Sequence, residues 1–258
     1  MRFILIHGGF HGAWCWGRVV PDLTRLGHEA IAIDLPGHGE RSAERPANYR
    51  QRIQPILDVL REGDVLVGHS GGGYDISVAA NLAPERVGHM IFLAAGLPIE
   101  GMSVVEATGG TTEQTDRGKQ ATKLMDDATG MLRHIRPLPD GTMEWHSLDG
   151  AREFFYHDCD DVTVRWAFSK LSPGISPFPG ERLHLSNFWQ AQPPRSFILC
   201  EQDRAMPQTM AKAVIRRLGV EPLTINTSHS PFLSRPRELA ELLVHASGTQ
   251  PIGPLLLQ

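Results

Sequence analysis

The chain contains few cysteines and no long apolar run. Its 258 residues include three cysteines, Cys15, Cys159 and Cys200, which lie far apart and form no C-x-x-C pair. This spacing gives no zinc motif and fits a reducing compartment. No stretch approaches the roughly 20 apolar residues of a membrane span, and the apolar run at residues 2–6 is too short for a signal peptide. We therefore expect a cytoplasmic protein without a membrane partner.

The chain also lacks a large excess of either positive or negative charge. The formal net charge is −4 and the isoelectric point is near 6.3. Neither value gives an electrostatic reason to expect nucleic acid or an anionic membrane as a partner. Internal repeats and low-complexity tracts are absent from the sequence. A chain of this length can bury one large core and carry an inserted subdomain.

Three consecutive glycines, at residues 71–73, occupy the positions where a helix is expected to begin. Residues 68–72 fit the pattern G-x-S-x-G, with Ser70 at its centre. The apolar run at residues 64–67 precedes it, and residues 76–82 follow with helical spacing. A glycine costs about 1 kcal/mol relative to alanine inside a helix, so these glycines indicate strained angles and close backbone approach. The pattern predicts a sharp strand-to-helix turn that presents Ser70 as a nucleophile beside bare backbone N–H groups.

Strand and helix patterns alternate along most of the chain. Alternation of this kind predicts an α/β fold with a mostly parallel sheet flanked by helices on both faces. The predicted strands are residues 3–6, 30–33, 64–67, 89–94, 196–200 and 223–226. The predicted helices of this core include residues 14–26, 50–60, 207–218 and 236–245.

The alternation stops between residues 98 and 193. This stretch is polar, with helical patterns at residues 118–132 and 152–171 and a proline- and glycine-rich loop at 173–180. A long insertion in a regular parallel sheet is usually functional, and ligands of open α/β folds bind at the strand ends. We therefore predict a core formed by residues 1–97 and 194–258 and a mainly helical cap formed by residues 98–193.

A serine nucleophile needs a base, and the base needs an orienting carboxylate. Side chains that follow parallel strands meet at one edge of the sheet. Asp203 follows the strand at residues 196–200, and His229 follows the strand at residues 223–226. Both therefore belong to the same edge as Ser70, and we predict that the three residues form a catalytic triad.

Other acids and bases remain as alternatives. Glu201 lies nearer to its strand than Asp203 and is an alternative acid. Asp34 follows an early strand and is interpreted as a turn former. His245 falls in the last helix, where a structural or solvated role is expected.

The oxyanion of a tetrahedral intermediate needs two backbone donors. We assign them to Gly71, at the start of the elbow helix, and to Gly9, in the loop after the first strand; Phe10 is the alternative to Gly9. His7 and His11 are spaced H-x-x-x-H, but they lie on a loop without a third ligand nearby. We therefore expect no metal, with these histidines bracing the loop. The acidic run at residues 157–161 is interpreted as a solvated helix face.

These motifs resemble the α/β-hydrolase superfamily. They are similar to the branch that contains plant methylesterases, hydroxynitrile lyases and small bacterial carboxylesterases, including pyrethroid-type enzymes. Residues 7–16, the elbow, Asp203 and His229 carry the resemblance, which covers both halves of the sheet. The resemblance implies a six-stranded, mostly parallel sheet that starts directly at its first strand.

At two positions this chain differs from the hydroxynitrile lyases of that branch. Hydroxynitrile lyases of this group place a lysine directly after the base histidine, where this chain has Ser230. They also carry a threonine where this chain has Gly8. Both groups that handle cyanide are missing, so the resemblance disfavours lyase chemistry.

The sequence therefore predicts a serine hydrolase that needs no cofactor. It cleaves a small hydrophobic or aromatic carboxylic ester, or a lactone, through an acyl-enzyme. We predict substrate contacts at Phe10, His69, Phe155 and Trp166, although the aromatic residues of the cap could equally form the cap's own core. Three alternatives stay open: a carbon–carbon bond hydrolase, a cofactor-free oxygenase and a non-catalytic ligand-binding receptor. The tail at residues 255–257 either frays or docks on a partner subunit in a homodimer.

Overall fold

The core of the molecule is a six-stranded parallel sheet. The computed structural model describes residues 1–107, 130–174 and 180–257. The strands follow the order β2-β1-β3-β4-β7-β8. They are β1 (Arg2–Ile6), β2 (Glu29–Ile33), β3 (Asp64–His69), β4 (Val87–Leu93), β7 (Arg195–Cys200) and β8 (Leu223–Ile225). The predicted α/β-hydrolase fold is therefore confirmed.

The register brings the carboxyl ends of the strands to one edge. Ile6 lies opposite Ile33 on one side and Gly68 on the other, and Leu93 pairs with Ile198. The loops that follow β3, β7 and β8 therefore leave the sheet on the same side. This arrangement places the loops of Ser70, Asp203 and His229 next to each other.

Helices cover both faces of the sheet. Alternate strand residues face the two layers, because successive side chains in a strand point to opposite sides. One layer contains α2 (Tyr49–Val59), α3 (Gly72–Leu82) and α8 (Gln208–Leu218), and the other contains α1 (Val19–Arg25), α9 (Pro231–Ser234) and α10 (Pro236–Ala246). All five β1 residues are buried, because helices cover the strand on both faces. This burial explains why the sequence of the strand is a nearly continuous apolar run and does not alternate between apolar and polar residues.

One predicted core helix is shorter than the sequence suggested. The range 14–26 divides into a 3-10 turn, Ala13–Arg18, and the α-helix α1 (Val19–Arg25). Pro21 falls within the first turn of α1. Proline has no backbone N–H, and its ring disfavours the helical turn before it. A continuous helix from residue 14 is therefore disfavoured, and the prediction was wrong at this point.

The insertion between β4 and β7 has short elements. They are α4 (Val104–Ala107), a 3-10 turn at Met131–His134, the hairpin β5 (Ile135–Pro137) and β6 (Met143–Trp145), α5 (Leu148–Phe155), α6 (Asp161–Lys170) and α7 (Ser186–Ala191). Most of the predicted helix at residues 118–132 lies outside the described residues, as does part of the predicted loop at 173–180. The sequence analysis missed the hairpin.

The predicted helix at residues 152–171 is two helices. The side chain of Asp160 accepts a hydrogen bond from the Thr163 N–H at 2.7 Å, so a new helix starts there. The Ser147 side chain caps α5 in the same way. Residues 156–160 form the turn between the two helices, so four of the five residues of the expected solvated helix face at 157–161 lie in a connecting turn and only Asp161 begins a helix. Both predictions were wrong, because Asp160 prefers the capping position.

Helix α7 and the C-terminal tail both pack on the core of the chain. The α7 residues Phe188 and Trp189 are buried with the helices of the first layer. Leu255 is buried, and the guanidinium of Arg217 donates to the carbonyl oxygens of Leu256 and Leu257. The tail therefore packs on its own chain, so fraying is not what the structure shows, and docking on a partner subunit stays a prediction. The boundaries proposed for core and cap remain a prediction.

Candidate active site

Ser70 sits on a sharp bend between β3 and α3. Its φ angle is +52°, a value that non-glycine residues rarely adopt. The Ser70 N–H donates to the Leu93 carbonyl at 3.1 Å, and its carbonyl accepts from the Gly96 N–H at 3.0 Å. A Cβ added to Gly72 would lie 2.8 Å from the His7 carbonyl oxygen. The bend is therefore held by close backbone contacts that only glycine permits at that position.

Asp203 and His229 meet at the same edge. His229 Nδ1 lies 2.7 Å from Asp203 Oδ2, and both side chains are nearly fully buried. The other carboxylate oxygen of Asp203 accepts the N–H groups of Ala205 and Met206, each at 2.8 Å. Because the carboxylate accepts, Nδ1 carries the proton, and Nε2 of His229 is left as a proton acceptor. This tautomer is the one that a general base needs.

The residues considered as alternative acids and bases do not contact the Asp203–His229 pair in the described part of the chain. Glu201 is exposed, and no contact joins it to His229 within the described part of the chain. The Asp34 carboxylate accepts the N–H groups of Ala13 at 2.6 Å and Glu40 at 3.1 Å, as a turn former does. His245 lies exposed on α10.

The backbone of Gly71 lies close to the nitrogen of Gly9. A Cβ built on Gly71 would be 3.7 Å from the Gly9 nitrogen. Within residues 1–107, 130–174 and 180–257, neither N–H donates to a protein acceptor. Phe10, the alternative donor, has a φ angle of +64°, and its carbonyl accepts from the Ser172 N–H. Two free donors beside a serine nucleophile can stabilise an oxyanion.

His7 orients one of these donors. Its Nε2 accepts the Leu35 N–H at 3.2 Å, so its Nδ1–H donates to the Gly8 carbonyl at 2.8 Å. That carbonyl belongs to the same peptide group as the Gly9 N–H, and a hydrogen bond to one end of a peptide polarises the other. Burial lowers the pKa of His7 to about 3, so the ring stays neutral and keeps this tautomer.

Two further histidines hold the site loops. Nδ1–H of His11 donates to the Gly9 carbonyl at 2.9 Å, while its Nε2 accepts the Tyr156 hydroxyl at 2.7 Å. His69 Nε2–H donates to the His229 carbonyl at 2.8 Å. Burial lowers the pKa of His11 to about 4 and that of His69 well below its usual value. No group of three or more His, Cys, Asp or Glu residues in the described ranges could hold a metal ion.

A cavity of about 270 Å³ opens beside Ser70. Gly9, Gly71 and His229 also line it, together with two contrasting walls. The apolar wall comprises Val104, Met131, Ala205, Met206 and Met210, and the polar wall comprises His38, Tyr49, Arg52, Tyr74 and Asp75. A substrate bound here would therefore contact polar groups as well as apolar side chains.

The four predicted substrate contacts are not among the described lining residues of this cavity. His69 is fully buried beneath His229. The rings of Phe10 and Phe155 pack against Trp145, at centroid distances of 5.9 and 4.4 Å. Trp166 is 38% exposed and packs edge-on against Trp14 at the surface. The cavity gives these four predictions no support, because their rings pack against other aromatic side chains or lie at the surface.

Sequence reasoning missed an ion pair in the polar wall. Arg52 Nε lies 2.7 Å from Asp75 Oδ1, and the two side chains are 7% and 2% exposed. Burial alone would lower the pKa of Arg52, but the charge and hydrogen bond of Asp75 outweigh it and raise the pKa. A signal was present, since Arg52 falls on the buried face of α2 with Tyr49 and Ile56. A charge on an apolar helix face indicates a buried partner.

The sequence matches a known family over most of its length. The model of the alpha/beta hydrolase family matches residues 3–242. The chain belongs to this family. Methylesterase 1 of Arabidopsis thaliana is 28% identical over 257 residues, which cover 93% of each chain. Putative methylesterase 15 of the same plant is 29% identical over 97% of this chain, which spans only 57% of that longer relative.

A solved structure shows the same fold. A pyrethroid hydrolase from Sphingobium faniae JZ-2 superposes with a TM-score of 0.76 at 24% identity, covering 96% of this chain and 97% of that one. The predicted resemblance to this superfamily is thus confirmed. None of the helices in the described ranges is long and apolar enough to cross a membrane. Putative methylesterase 15 is described as chloroplastic, so a cytoplasmic location for this alpha/beta hydrolase stays a prediction.

Proposed function

We propose that this alpha/beta hydrolase cleaves small carboxylic esters through an acyl-enzyme at Ser70. One observation carries the proposal: His229, which is bonded to Asp203, lines the same cavity as a serine held at a φ angle of +52°. The methylesterases among its relatives support ester chemistry. The N–H groups of Gly9 and Gly71 support an acyl-transfer reaction, because free backbone donors near the nucleophile can stabilise the negative charge of a tetrahedral intermediate.

The proposed reaction runs in two halves. Ser70 Oγ attacks the ester carbonyl carbon while His229 Nε2 takes the hydroxyl proton. The N–H groups of Gly9 and Gly71 stabilise the oxyanion. The tetrahedral intermediate collapses, and the alkoxide leaves with the proton from His229. Water then attacks the acyl-enzyme with His229 again as base, and the acid product leaves Ser70. Asp203 holds the imidazole tautomer throughout.

The cavity supports a small substrate with apolar character. Its volume of about 270 Å³ lies below the roughly 300–1,000 Å³ that is usual for drug-sized ligands. Three methionines, Met131, Met206 and Met210, form much of the apolar wall and can adapt to different apolar groups. We propose small hydrophobic or aromatic esters, with lactones as the closely related alternative.

The proposal is tested with p-nitrophenyl acetate, butyrate and octanoate, by comparing the wild type with Ser70→Ala. Loss of the nucleophile should reduce kcat by about 10⁴-fold or more. Ser77→Ala is the matched control, because Ser77 donates to the Gly73 carbonyl within α3 and does not line the cavity. A fluorophosphonate probe should label Ser70, located by peptide mass spectrometry.

Several outcomes would contradict the proposal. Undiminished turnover in Ser70→Ala would remove the serine from the mechanism and favour the cofactor-free oxygenase. A wild type that binds esters but neither cleaves them nor reacts with the probe would favour the ligand-binding receptor. Labelling of Ser70 together with cleavage of diketones but no esters would favour the carbon–carbon bond hydrolase.

A further inference from the structure

A short segment of the insertion contacts three of the loops that form the site, those after β1, β7 and β8. It comprises residues 155–158, from the last residue of α5 into the turn before α6, and is called the tether below. The Tyr156 hydroxyl bonds to His11 in the loop after β1. Nε2–H of His157 donates to the Gln202 carbonyl at 2.9 Å, in the loop after β7. The Asp158 carboxylate accepts the Ser228 N–H at 2.9 Å, in the loop after β8.

The positions of these partners along the chain are informative. Gln202 directly precedes Asp203, and Ser228 directly precedes His229. Two consecutive tether residues therefore bind the residues just before the proposed acid and base. Ser228 is held a second time, because its hydroxyl donates to the Phe155 carbonyl at 2.8 Å. The backbone around His229 is thus fixed from the insertion, while its ring is fixed by Asp203.

We propose that Asp158 is a positioning residue for His229, an inference that rests on the proposed function. Asp158 is an exposed residue, so solvent screens part of the charge that its carboxylate brings to the bond with Ser228. A charge-assisted bond to a backbone N–H is nevertheless short and directional. It fixes the Thr227–Ser228 peptide group, which lies one residue before His229. A displacement of about 1 Å in a reacting group costs as much as a hundredfold in rate, so this bond acts on kcat through geometry.

The kinetic test uses a matched pair of carboxylates. Asp158→Ala should lower kcat for p-nitrophenyl butyrate roughly tenfold, within the range expected for small misplacements, with KM nearly unchanged. Asp158→Asn should restore most of the loss, because its amide oxygen still accepts the Ser228 N–H. Asp160→Ala is the control, since Asp160 accepts a backbone N–H of α6, the Thr163 N–H, and contacts no described residue of the catalytic loops. It should lower Tm and leave kcat unchanged.

A second readout needs no substrate. The Nδ1 proton shared by His229 and Asp203 should give a far-downfield proton NMR resonance, identified by its loss in Asp203→Ala. Asp158→Ala should shift or broaden this resonance, whereas Asp158→Asn and Asp160→Ala should leave it in place. Failure of the proposed function is read separately, from Ser70→Ala or from a wild type without ester turnover. In that second case the resonance alone decides whether Asp158 positions His229.

Three results would overturn the role of Asp158. The first is a wild-type kcat and resonance in Asp158→Ala. The second is an equal loss of kcat in Asp160→Ala, which would mean that any damage to the insertion slows turnover. The third is a loss of kcat in Asp158→Ala without any change in the resonance, which would mean that the residue acts other than through His229.

Discussion

Replacing His89 should make the fold more tolerant of acid. His89 lies on β4 with 3% of its surface exposed, and its Nε2 is 3.1 Å from the Ser196 hydroxyl on β7. Burial lowers the pKa of His89 from 6.5 to about 4. Because the native pKa lies below the unfolded value, the unfolded chain binds more protons between these two pH values. Stability contributed by neutral His89 is present above pH 6.5 and is lost as pH falls towards 4.

The size of the effect follows from the two pKa values. At pH 5.0 protonation stabilises the unfolded chain by about 2 kcal/mol, and the native state gains almost nothing. At pH 7.5 neither state gains appreciably. The wild type should therefore lose about 2 kcal/mol more of its unfolding free energy than His89→Gln does between pH 7.5 and 5.0. His7 and His11, with pKa values of about 3 and 4, should each add a similar loss.

The assay is urea unfolding at the two pH values, followed by tryptophan fluorescence. Ser196→Ala is the control, because it removes the hydrogen bond of His89 and keeps the titrating ring. Its cost should be nearly the same at both pH values. Equal pH dependence in the wild type and His89→Gln would refute the reasoning, since His89 would then titrate alike in the native and unfolded states.

Two further predictions concern the elbow and the polar wall. Gly72→Ala should cost about 1–3 kcal/mol in unfolding free energy, since its Cβ would collide with the His7 carbonyl. Gly71→Ala, where the nearest atom is 3.7 Å away, should cost almost nothing, and equal costs in urea unfolding would contradict the close approach. Arg52→Met should cost about 3–5 kcal/mol because Asp75 is left buried without its partner. The double variant with Asp75→Asn should recover most of this cost, and failure to recover would mean that the ion pair is not the cause.

Local patterns in the sequence were enough to predict the sheet and the candidate site. Short runs such as residues 3–6 and 64–67, bounded by turn residues, are typical of strands buried on both faces, and the alternation of strands with helices favours parallel connections. Once parallel strands are predicted, Ser70, Asp203 and His229 belong to one edge because each follows a strand. The elbow glycines were readable because a sharp bend excludes side chains. The structure brings Asp203 and His229 to 2.7 Å, as that reasoning requires.

The polar contacts around the site were not readable in the same way. Arg52 and Asp75 are 23 residues apart, and Asp158 and Ser228 are 70 apart. The substrate contacts predicted at Phe155 and Trp166 stay predictions that the cavity lining does not support, because an aromatic residue in an insertion packs on whichever surface the fold presents.

The sequence by itself determined the sheet, the bend at Ser70 and the order of the proposed acid and base, since each depends on periodicity or on backbone angles within a few residues. Only the tertiary structure decided which side chains line the cavity and how residues 155–158 hold the loops. A hydrogen bond or an ion pair between distant segments leaves no periodic trace in the chain, because its energy depends on a distance of about 3 Å that exists only after the segments have packed together.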